Sequence, residues 1–378
     1  MKKIILLSLV VIIGILFTAQ IKRTFVGVLL LVDSVRPPEQ SIMGKLIDGP
    51  KVTTVTVPGR NRTVRADLYR PAKKGKHFPL LLVHGVNPTG KDDAQLVLLA
   101  KDLARAGFLV LVPDIAGMKT LRLRVSDAED LLESFQYLSR SEDARPRGGM
   151  MGISYGAGPV LLAAADARIR DKVSLVATFG GYYDLRNVLL FILTGAYEYG
   201  GQRGYVRPDT SMRWMFFYRN LDLVRSSADR EKLRKIIEKR NQFEVAAADA
   251  LAKSLGPEGR ALYDFLVNTD QERFAPLYEK LPLTVREQVF QLSPARAMRY
   301  ITSSFIIAHG TDDYAVPFTE SKRLADAVDD KGRVRVALLP QFLHTEPIEP
   351  SAGDWFKRYV LGGWRLFAAF YGLLAYAE

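Results

Sequence analysis

The sequence predicts an α/β protein built on a doubly wound, mostly parallel sheet, with a helical insertion and an apolar segment at its N-terminus. Three observations carry this prediction. Apolar runs of strand length alternate with helix-spaced segments over residues 50–181, the alternation stops over 182–296, and it resumes over 297–378.

Lys2 and Lys3 precede an uncharged run from Ile4 to Ala19, slightly shorter than the ~20 residues that span a bilayer comfortably. Lys22 and Arg23 follow, then a second apolar run from Phe25 to Val32. A cleaved signal peptide and an uncleaved membrane anchor over 1–33 both fit this pattern. Phe17 is too bulky for a small-x-small cleavage site, which favours the anchor. Basic residues flank both ends, so orientation rests on the signal-like start, which places the remainder outside the cytoplasm.

Val52 to Val57 and Thr63 to Tyr69 alternate in polarity around Pro58-Gly59-Arg60-Asn61, an antiparallel pair joined by a turn. Phe78 to Val83 is continuously apolar and reads as a buried strand ending at His84-Gly85. Asp92 to Arg105 has helical spacing, Phe108 to Val112 is the next strand, and Asp127 to Leu138 is helical. Gly149 to Ile153 is a strand that runs into Gly152-Ile153-Ser154-Tyr155-Gly156 and then a helix reaching about Ala165. Pro159 falls in the first turn of that helix, where its missing N–H costs little. Val173 to Phe179 closes this half, ending at Gly180-Gly181.

Residues 182–296 show no clear buried strand and read as a helical cap inserted into the sheet domain. They contain a charged helix from Asp229 to about Leu255. They also contain an aromatic, basic stretch (Arg213, Trp214, Phe216, Phe217, Tyr218, Arg219) that fits either the interior of the cap or a lipid-facing surface. Ser304 to Ala308, a helix over Thr319–Val328 and a strand over Arg333–Leu339 resume the pattern. Near the C-terminus Trp364, Phe367, Phe370, Tyr371 and Leu374 form a helical stripe. It fits packing on the sheet, with an excess of aromatics that leaves contact with membrane or cap open.

Lysine and arginine total 53 against 41 acidic residues, a net charge of +12. No zinc-finger, RNP-like or arginine-rich tract accompanies that excess, so nucleic acid is excluded as the expected partner and an anionic membrane surface takes its place. The chain has no cysteine, which removes disulfides and thiolate chemistry. No cluster has metal-ligand spacing and no glycine-rich phosphate loop precedes a helix, so no cofactor is expected.

Three segments fall at strand ends, where open α/β sheets place ligands. They are Ser154 in the G-x-S-x-G motif, His309-Gly310-Thr311-Asp312-Asp313-Tyr314-Ala315-Val316-Pro317, and His344 after the last strand. Glycines flank the serine because a turn that sharp leaves no room for side chains beside it. With these motifs in the order Ser…Asp…His, the chain resembles the α/β-hydrolase superfamily, in its serine esterase and dienelactone-hydrolase-like group, over residues 50–181 and 297–350. The resemblance implies a triad of Ser154, Asp313 and His344. Asp312 is the alternative acid, and the spacing to Val316-Pro317 favours Asp313. It also implies an oxyanion hole from the N–H of Tyr155 and that of Val86 or Asn87 in the His84-Gly85-Val86-Asn87 loop. Dienelactone hydrolases proper use a cysteine nucleophile, so their substrate does not carry over. His84 and His309 read as structural.

The chemistry agrees with the motif. A serine hydroxyl needs a base to accept its proton, an imidazole is suited to that near neutrality, and a buried carboxylate orients it. The expected protein is therefore a membrane-associated serine hydrolase with a cap over its site, cleaving a carboxylic ester of an apolar or amphiphilic acyl group. A serine peptidase or amidase is the alternative, and a catalytically silent, membrane-tethered scaffold is the alternative from another class.

Overall fold

The structure, a computed structural model, describes residues 2–60, 62–207, 209–348, 353 and 356–378; for residues 2–17, 210, 211 and 357 it describes backbone only. The chain opens with α1 (Lys2–Asp33) and the short α2 (Met43–Leu46). The first half of the sheet domain follows. It comprises β1 (Lys51–Val57), β2 (Val64–Arg70), β3 (Phe78–Val83), α3 (Ala94–Arg105), β4 (Phe108–Pro113), α4 (Ala116–Lys119), α5 (Ser126–Ser139), β5 (Gly148–Ile153), α6 (Ala157–Ala164) and β6 (Val173–Phe179). Apart from α4, which the sequence did not signal, these are the strands and helices expected from the apolar runs, with ends shifted by a residue or two. Asn61, in the expected β1–β2 turn, lies outside the described residues.

One eight-stranded sheet runs in the order β1-β2-β4-β3-β5-β6-β9-β10, where β9 is Ser304–Gly310 and β10 is Val334–Leu339. β1 and β2 form an antiparallel hairpin and β2 is antiparallel to β4; every pairing from β4 to β10 is parallel. Side chains alternate across each strand, so the parallel strands feed two separate cores. Leu81, Leu109, Met150, Val176 and Ile307 point to one face, under α5, α6, α14 (Thr319–Asp326) and the insertion. Leu80, Val110, Met151, Ala177, Ile306 and Ala308 point to the other, under α1, α3 and α15 (Gly362–Leu374).

The insertion holds α7 (Leu185–Thr194), an exposed hairpin of β7 (Ala196–Tyr199) and β8 (Gln202–Tyr205), and the helices α8 (Thr210–Arg219), α9 (Ser227–Asn241), α10 (Val245–Ala252), α11 (Pro257–Leu266), α12 (Gln271–Glu279) and α13 (Leu283–Leu292). The single helix expected from Asp229 to Leu255 is two. Phe243 takes a left-handed φ of +62° between them, which ends α9 and turns the chain. The aromatic, basic stretch is interior at two positions, while Trp214, Phe216 and Tyr218 are half-buried and Arg219 is exposed. Phe217 is buried with its ring edge-on to Phe265, and buried Arg213 donates to the carbonyls of Leu193 and Leu266. The insertion is moored to the loops that follow β4 and β6. Arg124 donates to Asn220 and Asp222, Gln288 donates to the Leu123 carbonyl, and Tyr182 donates to the Leu292 carbonyl.

Among the described residues no helix is long and apolar enough to cross a membrane. The uncharged run expected to enter the bilayer, Ile4–Ala19, falls mostly on residues 2–17, whose side chains lie outside the description. The second apolar run is part of the globular body. Val26, Leu29 and Leu30 are buried against α15, and a Cβ at Gly27 would stand 3.0 Å from the Phe367 ring. The Arg23 guanidinium lies 5.1 Å from the Tyr371 ring centroid and pairs with Glu378. Buried Asp33 ends the helix by accepting from Ser41 Oγ and from the N–H groups of Ile42 and Met43. The C-terminal aromatic stripe thus packs on α1 and the sheet, with Trp364 left exposed.

Candidate active site

β5 delivers Ser154 into a sharp turn before α6, and the serine adopts a left-handed φ of +54°. A non-glycine residue held there costs energy and persists because the surroundings over-determine it. The neighbouring glycines are that constraint. A Cβ on Gly152 would sit 2.6 Å from Ala157 Cα, and one on Gly156 would sit 2.3 Å from the His84 carbonyl oxygen. Both contacts are with backbone, so neither position admits a side chain without moving a strand end.

The three distant segments meet. Ser154 Oγ donates to His344 Nε2 at 2.6 Å, and His344 Nδ1–H donates to Asp313 Oδ2 at 2.6 Å. His344 packs over Gly180, where a Cβ would fall 3.3 Å from the imidazole and where φ is +64°. The Gly180-Gly181 strand end is therefore the seat of the ring. Asp313 is buried and fully engaged: Oδ1 accepts from the N–H groups of Ala315 and Val316, each at 2.8 Å. Asp312 is exposed and pairs with Arg358, so the acid beside the imidazole is Asp313.

His309 contributes more than sequence reasoning assigned to it. It is fully buried, with Nε2 at 3.0 Å from the Val316 carbonyl and 3.2 Å from Asp313 Oδ2. Two acceptors facing one nitrogen place the proton on Nε2, and Ser321 Oγ donates to Nδ1 at 2.6 Å. Burial pushes the Asp313 carboxyl up, but the charge and hydrogen bonds of His344 and His309 together outweigh it and hold it well below the usual carboxylate range. Burial pulls the His344 imidazole down, and the Asp313 carboxylate overrides that and leaves it raised.

The loop after β3 passes beside the serine: a Cβ on Gly85 would lie 2.9 Å from Ser154 Cβ. Val86 and Asn87 follow it along the wall of the cavity at Ser154. The Asn87 side chain is committed to the loop, donating to Asp93 and accepting from the N–H of Thr89, so only its backbone N–H is free for a ligand role. His84 organises the loop, as expected: Nδ1 donates to the Gly85 carbonyl and Nε2 accepts from Ile115 N–H. Burial lowers its pKa, keeping it neutral in that arrangement. Tyr155 opens the helix after Ser154 with its ring buried and stacked on Tyr182, centroids 6.0 Å apart. Among the described residues no group of three or more His, Cys, Asp or Glu could hold a metal ion.

The cavity at Ser154 has a volume of about 450 Å³. None of its described lining residues comes from 182–296; its walls include the sheet, α3, α1 and α15. A second buried acid was not anticipated. Glu320 accepts from the N–H groups of Tyr183 and Asp184 and from Asn187 Nδ2, holding the start of the insertion, and burial pushes its carboxyl up to about 7. An acid on an otherwise polar helix gave no signal of this in the sequence.

Comparison with known proteins places this geometry in context. The family model described as X-Pro dipeptidyl-peptidase (S15 family) matches residues 61–254, just over half the chain. The matched stretch includes Ser154 and ends before Asp313 and His344. No curated protein matches the sequence. Among solved structures, a puromycin-hydrolysing peptidase from Mycobacterium tuberculosis aligns at 16% identity with a TM-score of 0.51, covering 87% of this chain and 39% of that one. The acylaminoacyl peptidase of Pyrococcus horikoshii aligns at 14% and 0.49, covering 88% and 42%. Est1E from Butyrivibrio proteoclasticus aligns at 14% and 0.48, covering 85% and 98%. The chain spans about two fifths of the length of the two peptidases, and at these identities the likeness is one of fold.

Proposed function

Because the chain belongs to the X-Pro dipeptidyl-peptidase (S15) family, within the α/β-hydrolase superfamily, we propose that it is a serine hydrolase cleaving carboxylic esters of apolar or amphiphilic acyl groups through an acyl-enzyme. The observation that carries this reading is the continuous Ser154–His344–Asp313 relay, with both hydrogen bonds at 2.6 Å. Ser154 Oγ attacks the carbonyl carbon as His344 Nε2 takes its proton, and Asp313 steadies the imidazolium. The N–H of Tyr155 and that of Val86 or Asn87 face the developing oxyanion, each worth roughly 3 kcal/mol in the transition state. His344 returns the proton to the leaving alcohol, and water then releases the acid by the same steps.

Amide hydrolysis is the second reading, and the family's dipeptidyl-peptidase description is what favours it. The triad serves either bond, since His344 can protonate an amine as it protonates an alcohol. Purified protein assayed on p-nitrophenyl esters beside peptide p-nitroanilides separates the two: esters turned over with no anilide cleaved supports the esterase reading, and efficient anilide cleavage replaces it.

Association with a membrane through the uncharged run Ile4–Ala19, flanked by Lys2, Lys3, Lys22 and Arg23, is part of the proposal, with the catalytic domain on the extracytoplasmic side. A truncation must begin at Thr18, since α1 beyond that point packs on the body. Loss of flotation with vesicles in that truncation supports an anchor; undiminished flotation removes it.

A further inference from the structure

The cavity at Ser154 lies on one face of the sheet only. Along β5, β6 and β9, Met150, Val176 and Ile307 are completely buried on the face toward α5 and α6. Their immediate neighbours Met151, Ile306 and Ala308 lie at the centre of the same sheet, where burial should be greatest, yet they keep 8%, 8% and 7% of their surface. Small side chains line the gap on both sides: Ala177 and Ala308 on the strands, and Ala369 on α15. Contacts left unmade beside apolar side chains cost stability, and protein interiors ordinarily close such gaps. At about 450 Å³ this void falls in the range of ligand sites rather than packing defects.

One end of the void is Ser154, beside Ile153 and Phe179. Its interior walls are Leu30 of α1 and Leu366, Phe370 and Leu373 of α15. The carboxylates along it are already engaged: Asp93, before α3, accepts from Leu96 N–H and Asn87, and Glu346 at the rim accepts from Tyr314. Asp33 accepts from Ser41, Ile42 and Met43, and Asp102 from Arg105, so what a ligand meets along most of the wall is hydrocarbon.

We infer that this void is the acyl-chain site, and that the substrate is an ester of an unbranched medium or long fatty acid whose chain passes down from Ser154 between the sheet and the α1–α15 pair. The inference rests on the hydrolase reading above and adds the class of acid and its place in the fold. The second half of α1 becomes a wall of the substrate site, on the same helix whose first half carries the uncharged run. The insertion, which contributes no described wall, does not select the acyl chain.

The test uses the full chain. Ala369→Phe puts a ring into the void from α15. Relative to the unaltered chain, the ratio of kcat/KM for p-nitrophenyl octanoate to that for the acetate ester should fall by about tenfold or more, since a single methylene in an apolar pocket is worth that much. A ratio unchanged within twofold, in a variant that melts as the parent does, overturns the assignment. A binding measurement on Ser154→Ala protein covers a variant that fails to fold. Dodecanoate displacing 1-anilinonaphthalene-8-sulfonate where acetate does not supports the site; no displacement by dodecanoate overturns it. Failure of the hydrolase reading looks different: no ester of any chain length is turned over, while the binding result stands on its own.

Discussion

On one face of the sheet Met150, Val176 and Ile307 are sealed beneath α5, α6 and the insertion. On the other, one residue along the same strands, Met151, Ile306 and Ala308 border open space beneath α1 and α15. The same three strands supply both sets, so the difference lies in what covers them. The sealed face is closed by Leu131, Phe135, Val160 and Leu161 and extended by the aromatic core of the insertion. The hollow face is covered by two helices that pack on each other through Gly27 and Phe367 and stand off the strands at Ala369. The sealed face holds the molecule together and the hollow face is left for a ligand. Ser154 sits at the seam, with Asp313 anchored by His309 and with the void opening beneath it.

The largest effects are expected at that seam. Ser154→Ala should lower kcat by about 10⁶-fold, and Asp313→Asn by about 10⁴-fold, with folding intact by circular dichroism. A residual rate in Ser154→Ala close to that of the parent would detach the chemistry from the seam. Next come paired truncations across the sheet. Ile307→Ala on the sealed face should cost about 2–5 kcal/mol in urea unfolding, and Ile306→Ala beside the void should cost clearly less, because some of its contacts are already missing. Equal costs would mean that the faces are equally packed. Enlargement reverses the order: Val176→Phe should destabilise by about 1–3 kcal/mol, while Ala177→Leu should be neutral or stabilising. The smallest effect is in pH dependence. His344 must be neutral to accept the serine proton, and its pKa is raised above the ordinary ~6.5 by Asp313 against the pull of burial. Ester hydrolysis should therefore decline as pH falls through that raised value. In Asp313→Asn burial is opposed only by the smaller effect of the Glu346 charge, so the acid limb of the residual activity should move to lower pH. A limb that stays in place would assign it to another group.

The strands were legible because continuous apolar runs of strand length, closed by glycine or proline, have few other uses. The triad was legible because its members follow strand ends in a fixed order, and Ser154, Asp313 and His344 do meet. The insertion was recognised as helical, but its own periodicity carries no information about which loops of the sheet domain hold it. That is decided by Arg124, Gln288 and Glu320, single polar side chains that look like ordinary surface residues in the sequence. Phe25 to Val32 read as apolar, and apolarity alone does not separate a segment bound for lipid from one bound for α15. The void was illegible for a sharper reason. It is made by Ala177, Ala308 and Ala369, and an alanine beside empty space is written with the same letter as an alanine beneath a tight contact. His309 was read as structural, which undervalued it: from the end of β9 it also reaches Asp313 in the turn that follows.

The central claim is that an imidazole bridging Ser154 and Asp313 turns that one hydroxyl into a nucleophile. Incubation with a fluorophosphonate followed by peptide mass spectrometry reads this directly. A single adduct on Ser154, absent from His344→Ala protein that still folds, is the result expected. No adduct on folded parent protein, or an adduct on a different serine, would contradict it.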